Sequence, residues 1–317
     1  MLSNNVLFLL VASAARACAV PHKPTGVAGC GKALPAGQKA GGVYNVTIPS
    51  DGDDSRYVLI SIPPKYTTTA QTSAILSFHG GRRNAQSQLD LDLLTSQNFN
   101  TDKFVIYPQG VDDVWQGVPD VEVNDVQFTT DILNHLEAKY CIDTSRIFAT
   151  GKSDGGGFCN VLACDADLSK RIAAFAPVSG AFYIDTSPCR ASTVKIPCNA
   201  GRTNIPFLEF HGGNDTTIAY KGGARKGECL PTIPHFIQEW AVRDGLGSKN
   251  TSSSVAADTT LYKFGSDGLV RHIYNSVIGH DWPSTQPNED NKRDGHHVAS
   301  FNATPIILDF FNSHSLA

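Results

Sequence analysis

The sequence predicts an α/β fold: a mostly parallel central sheet with helices on both faces and an antiparallel hairpin at its N-terminal edge. Apolar runs of strand length alternate with segments whose apolar residues recur at helical spacing. The runs end in glycine-rich turns, where the chain must reverse. No linker-like tract divides the 317 residues, so residues 20–317 are expected to form one domain. A hydrophobic content of 41% is enough for a sizeable core.

After a Gly- and Pro-rich lead, Val43–Ile48 and Arg56–Ile62 form the edge hairpin around the turn-rich Pro49–Asp54. Ser73–His79 is a buried strand stopped by Gly80-Gly81, and Phe104–Tyr107 is a shorter one stopped by Pro108. Asp125–Tyr140 is a helix, with Val126, Phe128, Ile132, Leu133, Leu136 and Tyr140 at mostly helical spacing. Arg146–Thr150 is a strand and Asp154–Ala163 a helix. Ile172–Val178 and Ile205–His211 are strands, and Pro231–Asp244 is a helix. Thr260–Phe264 and Val270–Val277 are strands around Gly265–Gly268, and a terminal helix begins at Thr304 with Pro305 in its first turn.

Residues 1–19 have the form of a secretion signal. Val6–Ala14 is apolar but too short to span a bilayer, and small residues at Ala15, Ala17 and Ala19 offer cleavage after Ala17 or Ala19. The n-region has no Lys or Arg. Eight cysteines without paired C-x-x-C spacing suit disulfides rather than zinc, and Cys189 is expected to pair with Cys198 across a short loop. Sequons stand at Asn45, Asn214, Asn250 and Asn302. A secreted, extracellular monomer is the expectation. A net charge of -4 with scattered Lys and Arg excludes a nucleic-acid partner, and no other apolar run is long enough for a membrane span.

The chemistry centres on Gly151-Lys152-Ser153-Asp154-Gly155. This G-x-S-x-G pattern, between a strand and a helix, is the nucleophile elbow of α/β-hydrolases. The acid should follow a later strand. Asp215, after Ile205–His211 and two glycines, fits, with Asp185, Asp244 and Asp267 as rivals. The base should follow in turn: His280 lies just past a strand, between Gly279 and the Asp281-Trp282-Pro283 run. His272 falls within a strand and is expected to be structural or exposed, and His296 and His297 are expected in a solvated loop. The oxyanion hole is assigned to the amides of Asp154 and Gly81, with Arg82 as the alternative to Gly81. Trp115 sits in a loop after a strand, where it either lines the mouth of the site and stacks on a ring or packs in the core or rim. Gln116 and Arg82 are assigned with it to substrate binding. The scheme needs neither a metal nor an organic cofactor.

Gly151–Phe158, Tyr107-Pro108-Gln109-Gly110, Trp115-Gln116-Gly117, Gly227–Pro231 and Gly279–Pro283 together resemble secreted fungal feruloyl esterases of carbohydrate esterase family 1. The likeness runs from about Cys30 to Phe311. It implies an α/β-hydrolase that cleaves hydroxycinnamoyl esters, with feruloylated arabinoxylan or small hydroxycinnamate esters as substrates and Ser153, Asp215 and His280 as the triad. It also leaves Cys229 without the partner that relatives carry in the segment here reading Asp244–Gly247, and Cys159 departs from the family pattern. Acetylxylan esterases share related motifs, so acetyl on xylan is the alternative substrate. A non-catalytic polysaccharide-binding protein on the same scaffold is the further one.

Overall fold

A computed structural model describes residues 28–317. The expected secretion signal, including Cys18, lies outside the described residues. The described residues form twelve strands and five α-helices in the order β1 (Val43–Thr47), β2 (Tyr57–Ser61), β3 (Thr72–Phe78), α1 (Ala85–Asp92), β4 (Phe104–Pro108), α2 (Asp125–Lys139), β5 (Ile142–Lys152) and α3 (Asp154–Ala163). There follow β6 (Ala174–Val178), β7 (Phe207–Gly212), β8 (Gly223–Arg225), β9 (Glu228–Leu230), α4 (Ile233–Arg243), β10 (Asn250–Ala256), β11 (Thr259–Phe264), β12 (Val270–Asn275) and α5 (Ala303–Asn312).

Ten strands make one sheet in the order β1-β2-β4-β3-β5-β6-β7-β12-β11-β10, and β8-β9 is a separate hairpin. The run from β4 to β12 is parallel. The expected hairpin β1-β2 closes one edge, antiparallel to β4. The other edge is antiparallel too, through β11 and β10. Strand β10 was not legible in the sequence. Its Asn-Thr-Ser-Ser-Ser-Val-Ala run has no buried face, since the strand is exposed almost throughout, and only its backbone ladder to β11 holds it.

Alternation along the parallel strands splits the core in two. Leu76, Ile106, Ala149 and Phe207 face one layer, with Phe128 and Ile132 of α2, Phe158 of α3 and Trp240 of α4. Ile75, Val105, Phe148 and Leu208 face the other, with Ile307 and Phe311 of α5. Phe207 stacks on Trp240 and Phe148 on Phe311, with ring centroids 4.6 Å apart in both pairs. Helix α1 has no apolar stripe for a sequence pattern to find. It buries Gln88 and Asp92, which bond Ser77 of β3, and Asn84 with Ser87 forms a capping box at its start. Among the described residues no helix is long and apolar enough to cross a membrane.

The expected Cys189–Cys198 bond is not formed. Cys30 pairs with Cys141, Cys164 with Cys198 and Cys189 with Cys229, while Cys159 is buried and free. The long connection from β6 to β7 is stapled to its neighbours instead of to itself. Cys198 is carried to the end of α3, where Asn199 N–H donates to the Cys164 carbonyl. Ile184 exchanges backbone hydrogen bonds with Cys229, which brings β9 beside the connection's start and supplies Cys229 with a partner. The Cys189–Cys229 bond spans 40 residues. By loop-closure entropy its removal in a Cys189→Ser, Cys229→Ser variant should lower unfolding free energy by about 4 kcal/mol. Guanidinium titration checks this, and non-reducing peptide mapping should recover the three pairs above.

Candidate active site

The site is built at the C-terminal ends of the parallel strands. Strand β5 runs straight into α3 through Ser153, whose backbone sits at φ 55° and ψ −118°, a region L-residues avoid. The turn is held from three sides: Ser153 N–H donates to the Val178 carbonyl, and the Ser153 carbonyl accepts from Gly157 and Ala181 N–H. Helix α3 then presses backbone to backbone on the end of β3. A Cβ on Gly155 would collide with the carbonyls of Phe78 and His79, so glycine is required there.

Asp215 follows β7 and His280 follows β12, its parallel neighbour. Gly213 N–H donates to Asn275 O and Asn214 N–H to Ile278 O, which draws the two post-strand segments together. His280 Nδ1 lies 2.7 Å from Asp215 Oδ2. Asp215 Oδ1 accepts from the Thr217 and Ile218 amides at 2.8 and 2.7 Å. Burial pushes the His280 imidazole towards its neutral form, as does the nearby Lys152 charge, with Asp215 opposing both. Of the rivals, Asp185 is exposed, Asp267 stays in the β11-β12 turn, and Asp244 caps α4 and accepts from Ile205 N–H.

Beneath Asp215 runs a buried polar chain that sequence patterning missed. His211 Nδ1 lies 2.8 Å from Glu209 Oε1, and its Nε2 lies 2.8 Å from the Ile218 carbonyl and 3.3 Å from Asp215 Oδ2. Both ring nitrogens face only oxygen acceptors, so both carry protons and His211 is an imidazolium. Burial alone would strip that proton. Glu209 and Asp215 outweigh it and hold the group up at about 10. Burial likewise favours protonated Asp215, but His211 and His280 hold its carboxyl below the usual range. His272 is structural, as expected: its Nδ1 is 2.7 Å from Glu209 Oε2, and Tyr220 Oη is 3.1 Å from its Nε2. The signal in the sequence was period-2 alternation, which puts Glu209 and His211 on one face of β7.

On the opposite side, the amides of Gly81 and Asp154 have no acceptor among the described residues. The Arg82 amide is taken by the Asp113 carbonyl, so Arg82 is not an oxyanion donor. The Asp154 side chain packs against Gly81 with no room for a Cβ. Neutral His79, driven down to about 4 by burial, donates from Nδ1 to Gly80 O and accepts at Nε2 from Gly110 N–H.

Two assignments to substrate binding are corrected here. Trp115 is fully buried, stacked on Phe158 and edge-on to Phe78, and its Nε1 donates to the His79 carbonyl at 2.8 Å. It supports the Gly80-Gly81 loop from below and cannot reach a ligand. Gln116 turns to α2: its Oε1 accepts from Val126 N–H and its own N–H donates to Asp125. It borders a different, more open groove. Arg82 does line the cleft, a space of about 310 Å³ that also holds Lys152, Ser153, Thr217 and His280. His296, expected in solvent, is half-buried and bonded to Asp281 at 2.6 Å, whereas His297 is exposed.

No family model matches the chain. Among curated proteins it is 29% identical to feruloyl esterase D of Neurospora crassa over 268 residues, covering 79% of this chain and 81% of that one. It is 26% identical to a probable feruloyl esterase C of Aspergillus niger over 265 residues, 78% of this chain and 86% of that one. Against feruloyl esterase B of Piromyces equi the identity is 26% over 223 residues, 66% of this chain but only 39% of that longer protein. The chain is thus similar to fungal feruloyl esterases. It is an enzyme of the ester-hydrolase type, with the α/β-hydrolase fold. A solved acetyl xylan esterase from Aspergillus awamori matches at a TM-score of 0.62 and 17% identity, over 86% of this chain and 99% of that one. A thermostable esterase matches at 0.55 and 15%, over 86% and 62%. At such identities these likenesses speak for the fold alone.

The His211 network gives this esterase a distinct pH signature. A histidine held at about 10 when folded and at 6.5 when unfolded binds its proton more tightly in the fold. Its stabilising contribution is complete below pH 6.5 and is lost as pH rises through about 10. Melting temperature should therefore fall more steeply between pH 7 and pH 10 in the wild type than in His211→Gln, as differential scanning fluorimetry across that range would report.

Proposed function

We propose that the chain is a secreted serine esterase that hydrolyses hydroxycinnamoyl esters, feruloyl esters of arabinoxylan among them, through an acyl-serine intermediate. The observation that carries this reading is the strained Ser153 elbow opening into the same cleft as His280, with His280 Nδ1 bonded to Asp215. His280 Nε2 takes the Ser153 hydroxyl proton as Oγ attacks the ester carbonyl. Asp215 fixes the tautomer and stabilises the imidazolium. The Gly81 and Asp154 amides receive the oxyanion, helped by the positive end of α3. The tetrahedral species collapses, the sugar alcohol leaves with the proton from His280, and water activated by the same histidine releases the acid.

Similarity to fungal esterases supports the ester substrate class, and the names of the relatives support the feruloyl group. Three disulfides support function in an oxidising compartment. We read residues 20–317 as one catalytic domain acting as a monomer without cofactor.

Ser153→Ala should abolish ferulate release from methyl ferulate, a loss of at least about 10⁴-fold in kcat, while the protein stays folded. Retained activity would remove the serine mechanism. Rates on methyl ferulate, p-coumarate, caffeate and sinapate against acetylated xylan decide the acyl group, and a clear preference for acetylated xylan would replace the feruloyl reading with the acetyl one.

A further inference from the structure

The residue before the nucleophile is a lysine, and the serine mechanism leaves it without a task. Lys152 is the last residue of β5 and is 6% exposed. Its Nζ lies 2.7 Å from Asp290 Oδ2, and the Asp290 side chain is 4% exposed. Both groups line the cleft with Ser153 and His280. A surface lysine needs no such partner; this one is sunk in the wall of the cleft and paired across it.

Asp290 belongs to the long connection between β12 and α5, the segment that carries His280. That connection has no helix or strand of its own. Polar bonds hold its shape. Asp290 Oδ2 also accepts from Trp282 N–H at 2.9 Å. Arg293 donates to the His280 carbonyl at 2.7 Å and to Asp290 Oδ1 at 3.1 Å. Asp281 Oδ2 accepts from Gly279 N–H, and its Oδ1 meets His296 at 2.6 Å and Arg293 at 3.4 Å. These bonds tie the connection to itself around the backbone of His280. The Lys152–Asp290 pair ties it to the elbow.

We propose that Lys152 is a positioning residue: through Asp290 it docks the loop bearing His280 onto the turn bearing Ser153, and it sets the charge that His280 faces. The inference rests on reading Ser153 and His280 as nucleophile and base. The charged and titratable groups around His280 are Asp215, with His211 and Glu209 behind it, Lys152 from β5, and Asp290, Arg293, Asp281 and His296 from its own connection. Glu289, paired with exposed Arg83, stands farther out on the rim. Of these, Lys152 favours the neutral imidazole, while Asp215 and Asp290 favour the protonated one. Removing either member of the ion pair therefore changes the base in opposite senses. A merely structural pair would lower kcat at every pH and move no limb.

The test is the pH dependence of kcat/KM on methyl ferulate for the full chain. In Lys152→Gln, Asp290 is left uncompensated, His280 holds its proton to higher pH, and the acidic limb should rise by about one pH unit. In Asp290→Asn, Lys152 is left uncompensated and the limb should fall by a similar amount. Lys152→Arg keeps the charge and should leave the limb in place. Limbs that stay put in both neutral variants, or that move the same way, overturn the proposal. Should Lys152→Gln fail to fold, the near-isosteric Asp290→Asn decides by itself: a limb that does not fall is fatal. A Ser153→Ala variant that still hydrolyses the ester would instead defeat the underlying reading, so the two failures are distinguishable.

Discussion

The turn at Ser153 is the constraint around which the site is arranged. A residue forced to positive φ costs of order 1–3 kcal/mol and persists only where its surroundings leave no alternative. Here the surroundings are backbone. The Ser153 carbonyl and amide are bonded to residues at the end of β6 and just beyond, and α3 lies so close to β3 that Gly155 touches the Phe78 and His79 carbonyls. The same approach places the Gly80-Gly81 loop over the start of α3, so the proposed nucleophile and the proposed anion-binding amides come from one packing event. His79, Gly110 and Trp115 then hold that loop from behind.

Asp215 and His280, the proposed acid and base, are positioned differently. Each stands on a loop rather than in a turn between packed elements, and each loop is fixed by buried charge. Glu209 and His211 of β7 sit under Asp215, an anion and a cation stacked in the sheet. Lys152 and Asp290 sit beside His280. Buried ion pairs stabilise a fold poorly against apolar replacements, but they are demanding in geometry, and removal of one partner strands the other. A catalytic loop without secondary structure needs that kind of constraint. Its charges then act on the imidazole as well as on the backbone.

Much of this architecture was legible in the sequence because the parallel strands are apolar and end in glycine. The elbow was legible because strand, G-x-S-x-G and helix occur in register, and α3 begins and ends where patterning placed it. The remainder was hidden for physical reasons. Strand β10 buries no face and α1 buries polar side chains, so neither shows hydrophobic periodicity. Disulfide partners depend on where the β6-β7 connection travels, and short sequence separation misdirected Cys198 towards Cys189. Trp115 is next to a catalytic loop in both sequence and space, but it lies on the core side of that loop, a distinction that only three dimensions contain. Lys152, His211 and Glu209 are ordinary residues in a pattern. Only burial and mutual distance reveal them.

The most direct test of the account is to trap the acyl-enzyme. Turnover of methyl ferulate quenched in acid within the first catalytic cycle, followed by proteolysis and mass spectrometry, should yield the peptide containing Ser153 carrying one feruloyl group. The same experiment on Ser153→Ala should yield none. A feruloyl group on another residue, or rapid turnover with none bound at any time point, would contradict the assignment of Ser153 as the nucleophile.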